Sequence, residues 1–273
     1  MNIHTGRFLH KIPYIKGGGG PRTMVFFYGA SALLTSLEKS SIAAHLHIIR
    51  EYVPEGYTYY VLGYEQYPQT PYCLDQMADD FARIIAQETG KTVIVGVSFG
   101  GFVAMRFAAQ YPALTEKLVL LISAHTFSAA GKKKIAKMKQ LVSEGRYYEL
   151  LKENTLLFRR WWLNLLARFL LWKDKKNKLR SLNSPTALKD SLEGLFSRQV
   201  GDNIAYLGKI RAKTLVIGGT KDQFFGPDEF GETAAHIGDA RLQLFAAETH
   251  MLPVERNKET GAVVKNFITG ETI

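Results

Sequence analysis

The sequence predicts an α/β fold with a mostly parallel central sheet, helices on both of its faces and one inserted helical segment. Three observations predict it. Short apolar, β-rich runs alternate with helical patterns along most of the 273 residues. One such run passes through a glycine-rich hexapeptide directly into a helical pattern. The alternation then breaks between residues 125 and 205, where helical patterns follow one another without an intervening strand. With 46% apolar residues the chain can close a sizeable core as one large domain, so disordered and collagen-like classes are excluded. Cys73 is the single cysteine, which rules out an internal disulfide, and no Cys/His cluster has the spacing of a zinc site.

The N-terminal arm, with His4 and His10, lacks the apolar run of a secretory signal and ends in a flexible glycine turn, Gly17 to Gly20 followed by Pro21, so a cytoplasmic protein is expected. Strands are read at 24–28, 59–63, 92–97, 118–123, 214–218 and 241–245. Between them, residues 75–89 place Met77, Phe81, Ile84 and Ile85 on one helical face, with Asp79 and Asp80 read as solvent-facing or capping residues. The helical pattern at 101–110 is stopped by Tyr111-Pro112. The core is therefore expected in two pieces, 1–124 and 206–273, around an inserted helical cap at 125–205.

The net charge of +10 is concentrated in one stretch. Residues 132–180 carry 15 Lys and Arg against Glu144, Glu149, Glu153 and Asp174, which leaves the rest of the chain close to neutral. Here Leu156, Leu157, Trp161, Trp162, Leu165, Leu166, Phe169 and Leu170 recur at helical spacing, while Arg160, Asn164 and Arg168 form a narrow polar stripe. Arg159, Arg160 and Arg168 exclude a membrane-spanning helix. Two readings stay open. In one, the broad apolar face packs on the rest of the domain and 173–180 is a solvated loop; in the other, the helix is a lid over an apolar pocket that also lies on an anionic membrane surface. No nucleic-acid-binding motif accompanies the basic residues, so nucleic acid is not an expected partner.

The chemistry is read from the hexapeptide Gly96-Val97-Ser98-Phe99-Gly100-Gly101, which joins an apolar strand to a helix. A serine on so tight a turn adopts a strained conformation, and the small residues on either side let the chain reverse closely. Ser98 then projects into a cleft at the positive end of the following helix, beside the backbone N–H of Phe99, a donor for an oxyanion. A serine hydroxyl needs a base, usually a histidine oriented by a carboxylate. The strand at 214–218 ends in glycines and delivers Asp222 at its C-terminal edge, and the strand at 241–245 leads to His250 on a loop at that edge. Among the other histidines, His45, His47 and His236 read as helical surface or packing residues, and His125 as a residue that could line the cleft but stands in the wrong chain order for the base. Cys73 reads as an ordinary packing thiol. The tripeptide Gly90-Lys91-Thr92 mimics the end of a phosphate-binding loop, yet it precedes a strand and Ile85 stands where the first glycine belongs.

The elbow at 96–101, the strand carrying Asp222 and the loop Thr249-His250-Met251-Leu252-Pro253-Val254-Glu255 together resemble the nucleophile, acid and histidine segments of the α/β-hydrolase family, its serine-dependent, esterase- and lipase-like members in particular. The resemblance covers most of the chain outside the insertion. It implies that the insertion follows the sixth strand and forms a lid over an acyl pocket, and that the loop after the first buried strand completes the oxyanion hole. Where the family commonly has His-Gly, this chain has Tyr28-Gly29 followed by Ala30, which by position is the second backbone donor. Glu65 stands where relatives often carry a structural aspartate. Relatives that open epoxides or remove halides use aspartate at the elbow, so Ser98 implies acyl-enzyme chemistry or carbon–carbon bond hydrolysis. The expectation is a carboxylesterase-like serine hydrolase of an ester or thioester of an apolar acyl group, with no metal or organic cofactor. A carbon–carbon bond hydrolase or a peptidase of the same fold, or a non-catalytic ligand-binding homologue, are the alternatives.

Overall fold

Uninterrupted apolar runs such as Val93-Ile94-Val95 and Leu118-Val119-Leu120 are buried at every position, the mark of strands covered on both faces. The computed structural model describes residues 3–35, 42–65, 73–192 and 203–270. These runs sit in an eight-stranded sheet. Its strands are β1 (His4–Phe8), β2 (Ile12–Gly18), β3 (Arg22–Phe27), β4 (Tyr57–Leu62), β5 (Thr92–Val97), β6 (Thr115–Leu121), β7 (Lys213–Gly219) and β8 (Ala240–Phe245), in the order β1-β2-β4-β3-β5-β6-β7-β8. The last six are mutually parallel.

The N-terminal arm corrects the sequence reading. It is an antiparallel hairpin whose second strand pairs with β4, and Gly17 and Gly18 lie within that strand rather than in a flexible turn. A Cβ on Gly17 would fall 2.5 Å from the ring of Tyr59, so the glycine makes room for a core aromatic. Lys11, at the hairpin turn, reaches back to Asp80 at 2.6 Å and Glu65 at 3.0 Å. Asp80 is thus a buried, paired carboxylate and not a solvent-facing one, whereas exposed Asp79 accepts a hydrogen bond from the Tyr111 hydroxyl at 2.6 Å.

The helices in chain order are α1 (Ser31–Leu34), α2 (Ile42–Arg50), α3 (Leu74–Glu88), α4 (Phe99–Gln110), α5 (Ala129–Ser143), α6 (Tyr147–Asn154), α7 (Trp161–Lys173), α8 (Lys175–Ser181), α9 (Pro185–Asp190), α10 (Ile204–Leu207), α11 (Pro227–Ala235), α12 (Leu252–Glu255) and α13 (Asn257–Thr269). The expected apolar face of α3 is buried at Met77, Phe81, Ile84 and Ile85. Cys73 proves to be its N-cap residue, with its backbone N–H donating to Gln76 Oε1 at 3.1 Å. Lys117 on β6 donates to the carbonyls of Phe267 and Ile268, satisfying the last turn of α13.

Helices α5 to α10 lie between β6 and β7. This stretch is pinned to the core through backbone groups. Ser128 N–H donates to the Phe224 carbonyl at 3.0 Å, Asn183 N–H to the Leu34 carbonyl at 2.8 Å, and Asn183 Nδ2 to the Leu33 carbonyl at 2.7 Å. Of the two readings left open for its apolar helix, the one in which a broad apolar face packs on the domain fails. That helix begins at Trp161, not at 156, and of its large apolar side chains Leu171 is buried while the others named above are exposed. Residues 175–181 form α8 rather than a loop. Among the described residues no helix is long and apolar enough to cross a membrane.

Beneath the C-terminal edge of the sheet, Phe102 on α4 meets Phe127 at 5.1 Å and Phe225 at 5.8 Å between ring centroids, joining α4, the segment after β6 and the loop after β7. Phe102 is fully buried. Phe102→Ala is expected to lower the free energy of unfolding by about 3–5 kcal/mol, read from urea denaturation; a loss below about 1 kcal/mol would show that the cluster does not hold these elements together.

Candidate active site

Ser98 lies between β5 and α4 with φ 52° and ψ −118°, a region that side-chain-bearing residues rarely occupy. Close packing enforces it. A Cβ on Gly96 would stand 2.5 Å from Gly101 Cα, one on Gly100 1.9 Å from the Phe27 carbonyl oxygen, and one on Gly101 2.1 Å from Ser123 Oγ. Each glycine marks a contact that any side chain would break. The turn is held from below by Ser98 N–H donating to the Leu121 carbonyl at 3.0 Å.

Ser98 Oγ lies 2.9 Å from His250 Nε2. His250 Nδ1 lies 2.8 Å from Asp222 Oδ2 and 3.0 Å from Oδ1. With Nδ1 carrying the proton toward Asp222, Nε2 is left as the acceptor facing the hydroxyl. Asp222 is itself held by two backbone donors, Phe224 N–H at 2.8 Å and Phe225 N–H at 3.1 Å, both on Oδ1. The Phe224 ring stands edge-on to the imidazole at 4.7 Å. The result is a connected chain of hydroxyl, imidazole and carboxylate, able to move a proton from Ser98 to His250.

Ala30 and Phe99 border the same space. Phe99 is the first residue of α4, so its N–H lies outside the helix's own ladder. Ala30 caps α1, and a Cβ on the preceding Gly29 would lie 3.6 Å from Ser98 Cβ, so this loop passes close over the serine. Two residues that sequence reasoning missed hold the loops. The Tyr64 hydroxyl, fully buried, donates to the Tyr28 carbonyl. Gln223 Oε1 accepts from His250 N–H at 3.1 Å, while its Nε2 donates to the Leu157 carbonyl at 3.2 Å. Neither carries a local signal, because each acts on a partner far along the chain. Burial pushes the Tyr28 hydroxyl above its ordinary range, against a hydrogen bond with Ser31, and keeps it neutral.

These residues open onto a cavity of about 490 Å3 lined by Leu33, Ile48, Phe127, Met138, Leu157 and Leu192 among other apolar side chains. Among the described residues that line it there is no Asp, Glu, Lys or Arg. His125 is not part of it. It lies under α11, with its backbone N–H donating to Thr233 Oγ1 at 2.9 Å, and burial pushes its imidazole below the ordinary value, opposed by Glu232. His4, His10, His47 and His236 are exposed and apart from the site, and the side chain of His45 lies outside the described ones. Glu65 pairs with Lys11; residues 66–72 lie outside the described ones. Among the described residues no group of three or more His, Cys, Asp or Glu could hold a metal ion.

Comparison with known proteins identifies the fold family. A family model described as alpha/beta hydrolase fold matches residues 62–256. The proline iminopeptidase PfmaB of Pestalotiopsis fici is 29% identical over 236 residues, 78% of this chain and 83% of that protein. A 2-hydroxy-6-oxo-6-phenylhexa-2,4-dienoate hydrolase of Burkholderia cepacia is 32% identical over 188 residues, 65% of this chain and 63% of that one. Among solved structures, MGS-M2, an alpha/beta hydrolase enzyme from a Medee basin deep-sea metagenome library, superposes with a TM-score of 0.77 at 18% identity, covering 99% of this chain and 98% of its own.

The strain at position 98 is measurable. Ser98→Gly is expected to be more stable than Ser98→Ala by about 1–3 kcal/mol, because both lose the hydroxyl but only glycine adopts this conformation freely. Equal urea midpoints for the two variants would show that the turn is unstrained.

Proposed function

The chain belongs to the α/β-hydrolase family, and from that premise we propose that it is a serine hydrolase acting on an ester or thioester of an apolar acyl group. Ser98 is the nucleophile, His250 the general base and then acid, and Asp222 the residue that orients the imidazole and stabilises its charged form. His250 Nε2 takes the hydroxyl proton as Ser98 Oγ attacks the carbonyl; the 2.9 Å separation supports this direct transfer. The backbone N–H groups of Ala30 and Phe99 hold the oxygen that becomes negative. His250 then protonates the leaving alcohol or thiol, and water repeats the sequence on the acyl-enzyme. Residues 125–205 act as a cap, contributing Phe127, Ile135, Met138, Leu157 and Leu192 to the acyl side of the cavity.

One observation favours esters over the reactions named for the relatives. A peptide cleaved at a free N-terminus presents a protonated amine, and a dienoate presents a carboxylate; either charge needs a partner once it leaves water. The described lining of this cavity offers no Asp, Glu, Lys or Arg side chain to meet such a charge. A neutral ester with an apolar chain leaves no charge unpaired there.

The test is labelling with a fluorophosphonate, followed by p-nitrophenyl esters of increasing chain length. Wild type is expected to label and to hydrolyse medium-chain esters better than acetate, and Ser98→Ala to lose labelling together with at least about 1,000-fold in kcat/KM. A folded wild type that neither labels nor hydrolyses any ester would favour the ligand-binding reading. Activity confined to prolyl amides or dienoates would overturn the ester assignment.

A further inference from the structure

Helix α7 is turned inside out relative to an ordinary surface helix. Its inward side is made by half-buried Leu163, Asn164 and Ala167 and by buried Leu171, and Asn164 is spent on Phe158, accepting from its backbone N–H and donating to its carbonyl, both at 3.0 Å. Trp162, Leu165 and Phe169 fall at the centre of the outward side, three to four residues apart, with Trp161 and Trp172 beside them. Trp161 is 71% exposed, Trp172 66% and Phe169 55%. Of the eleven exposed large apolar side chains among the described residues, seven belong to this one helix. A patch of this kind on a water-soluble surface marks an interaction site.

The charge around the patch selects the partner. Residues 156–182 hold eight Lys and Arg against the single acid Asp174. Arg159 and Arg160 are engaged with Glu248 and Glu255 of the core, which anchors the start of α7. Arg168 and Lys173 on α7 and Lys176, Lys178 and Arg180 on α8 are exposed. A second copy meeting this face in a symmetric dimer would set these cations against their own counterparts. Nucleic acid would leave the tryptophans and leucines at the patch centre in water. An anionic bilayer accepts both features, aromatic and leucine side chains at the acyl boundary and Lys and Arg at the phosphates. At 13 residues the helix is about 20 Å long, too short for the bilayer core but suited to lying along its surface.

We propose that α7 is an interfacial anchor that lies flat on an anionic lipid surface, with Trp162, Leu165 and Phe169 inserted and the cations of α7 and α8 facing lipid phosphates. This inference stands independently of the hydrolase reading.

All three tryptophans of the chain, Trp161, Trp162 and Trp172, are on α7, so tryptophan emission, excited selectively over tyrosine, reports on this helix alone. Vesicles containing phosphatidylglycerol are expected to shift the emission to the blue and to co-sediment the protein, whereas pure phosphatidylcholine vesicles do so at least about tenfold less well. Raising NaCl to about 0.5 M is expected to weaken binding. The double variant Leu165→Glu/Phe169→Glu, which keeps every tryptophan, is expected to bind at least about tenfold more weakly with an unchanged near-ultraviolet circular dichroism spectrum. Should that variant misfold, Lys176→Gln/Lys178→Gln/Arg180→Gln tests the cationic half alone, and unaltered binding by it would overturn the proposal. Unmoved emission and a protein that stays in the supernatant would overturn it too, as would equal binding to both vesicle types. So would a lipid-free blue shift that grows with protein concentration alongside dimers in sedimentation equilibrium, which would assign the face to a second copy.

Discussion

A backbone conformation at Ser98 that side chains resist, φ 52° and ψ −118°, is sustained by the closeness of β5, α4 and the loop after β3. Three glycines are the condition of that closeness. Without side chains at 96, 100 and 101, the first turn of α4 can sit against the Phe27 carbonyl and the Ser123 hydroxyl, and the chain reverses within a single residue. Strain of about 1–3 kcal/mol at one residue persists only where its surroundings over-determine it. Here the surroundings are the central strands of the sheet, buried on both faces, and the aromatic cluster of Phe102, Phe127 and Phe225 below the turn.

The remaining polar geometry follows from how loops are tied across the sheet edge. Asp222 takes two backbone amides from the residues just after it and presents its carboxylate to His250. Gln223, next in sequence, holds the His250 backbone with one end and the Leu157 carbonyl with the other. The helical stretch between β6 and β7 is thereby connected to the imidazole loop by a single amide side chain. Farther out, Arg159 and Arg160 connect the start of α7 to Glu248 and Glu255, which flank that loop in the chain. The cavity, the imidazole and the exposed helix share one set of attachments.

Some misreadings have a common physical cause. The polar stripe of Arg160, Asn164 and Arg168 suggested a helix with its apolar side inward, but a helical pattern states which residues share a face and not which way that face turns. Asn164 finds its partners locally at Phe158, and Leu171 is the one large apolar side chain of α7 that is buried. The N-terminal hairpin was missed because glycines at 17 and 18 signal a turn by local preference, whereas pairing with β4 places them in a strand. Asp80 looks like any acid on an amphipathic helix until Lys11, far earlier in the chain, arrives beside it.

The sequence by itself determined the six parallel strands, the strained turn at Ser98, the break in alternation after residue 124, and Asp222 and His250 as residues delivered to one sheet edge. These depend on apolar alternation and on glycine spacing, preferences that act within a few residues. Only the tertiary structure decided that Ser98, His250 and Asp222 lie within hydrogen-bonding distance, that Tyr64 and Gln223 hold the neighbouring loops, that the described cavity lining is uncharged, and that α7 turns its tryptophans outward. Ser98 and His250 are 152 residues apart, and local propensity carries no information over that distance. Packing of distant segments against one another sets such contacts, and it sets the rotation of each helix about its own axis.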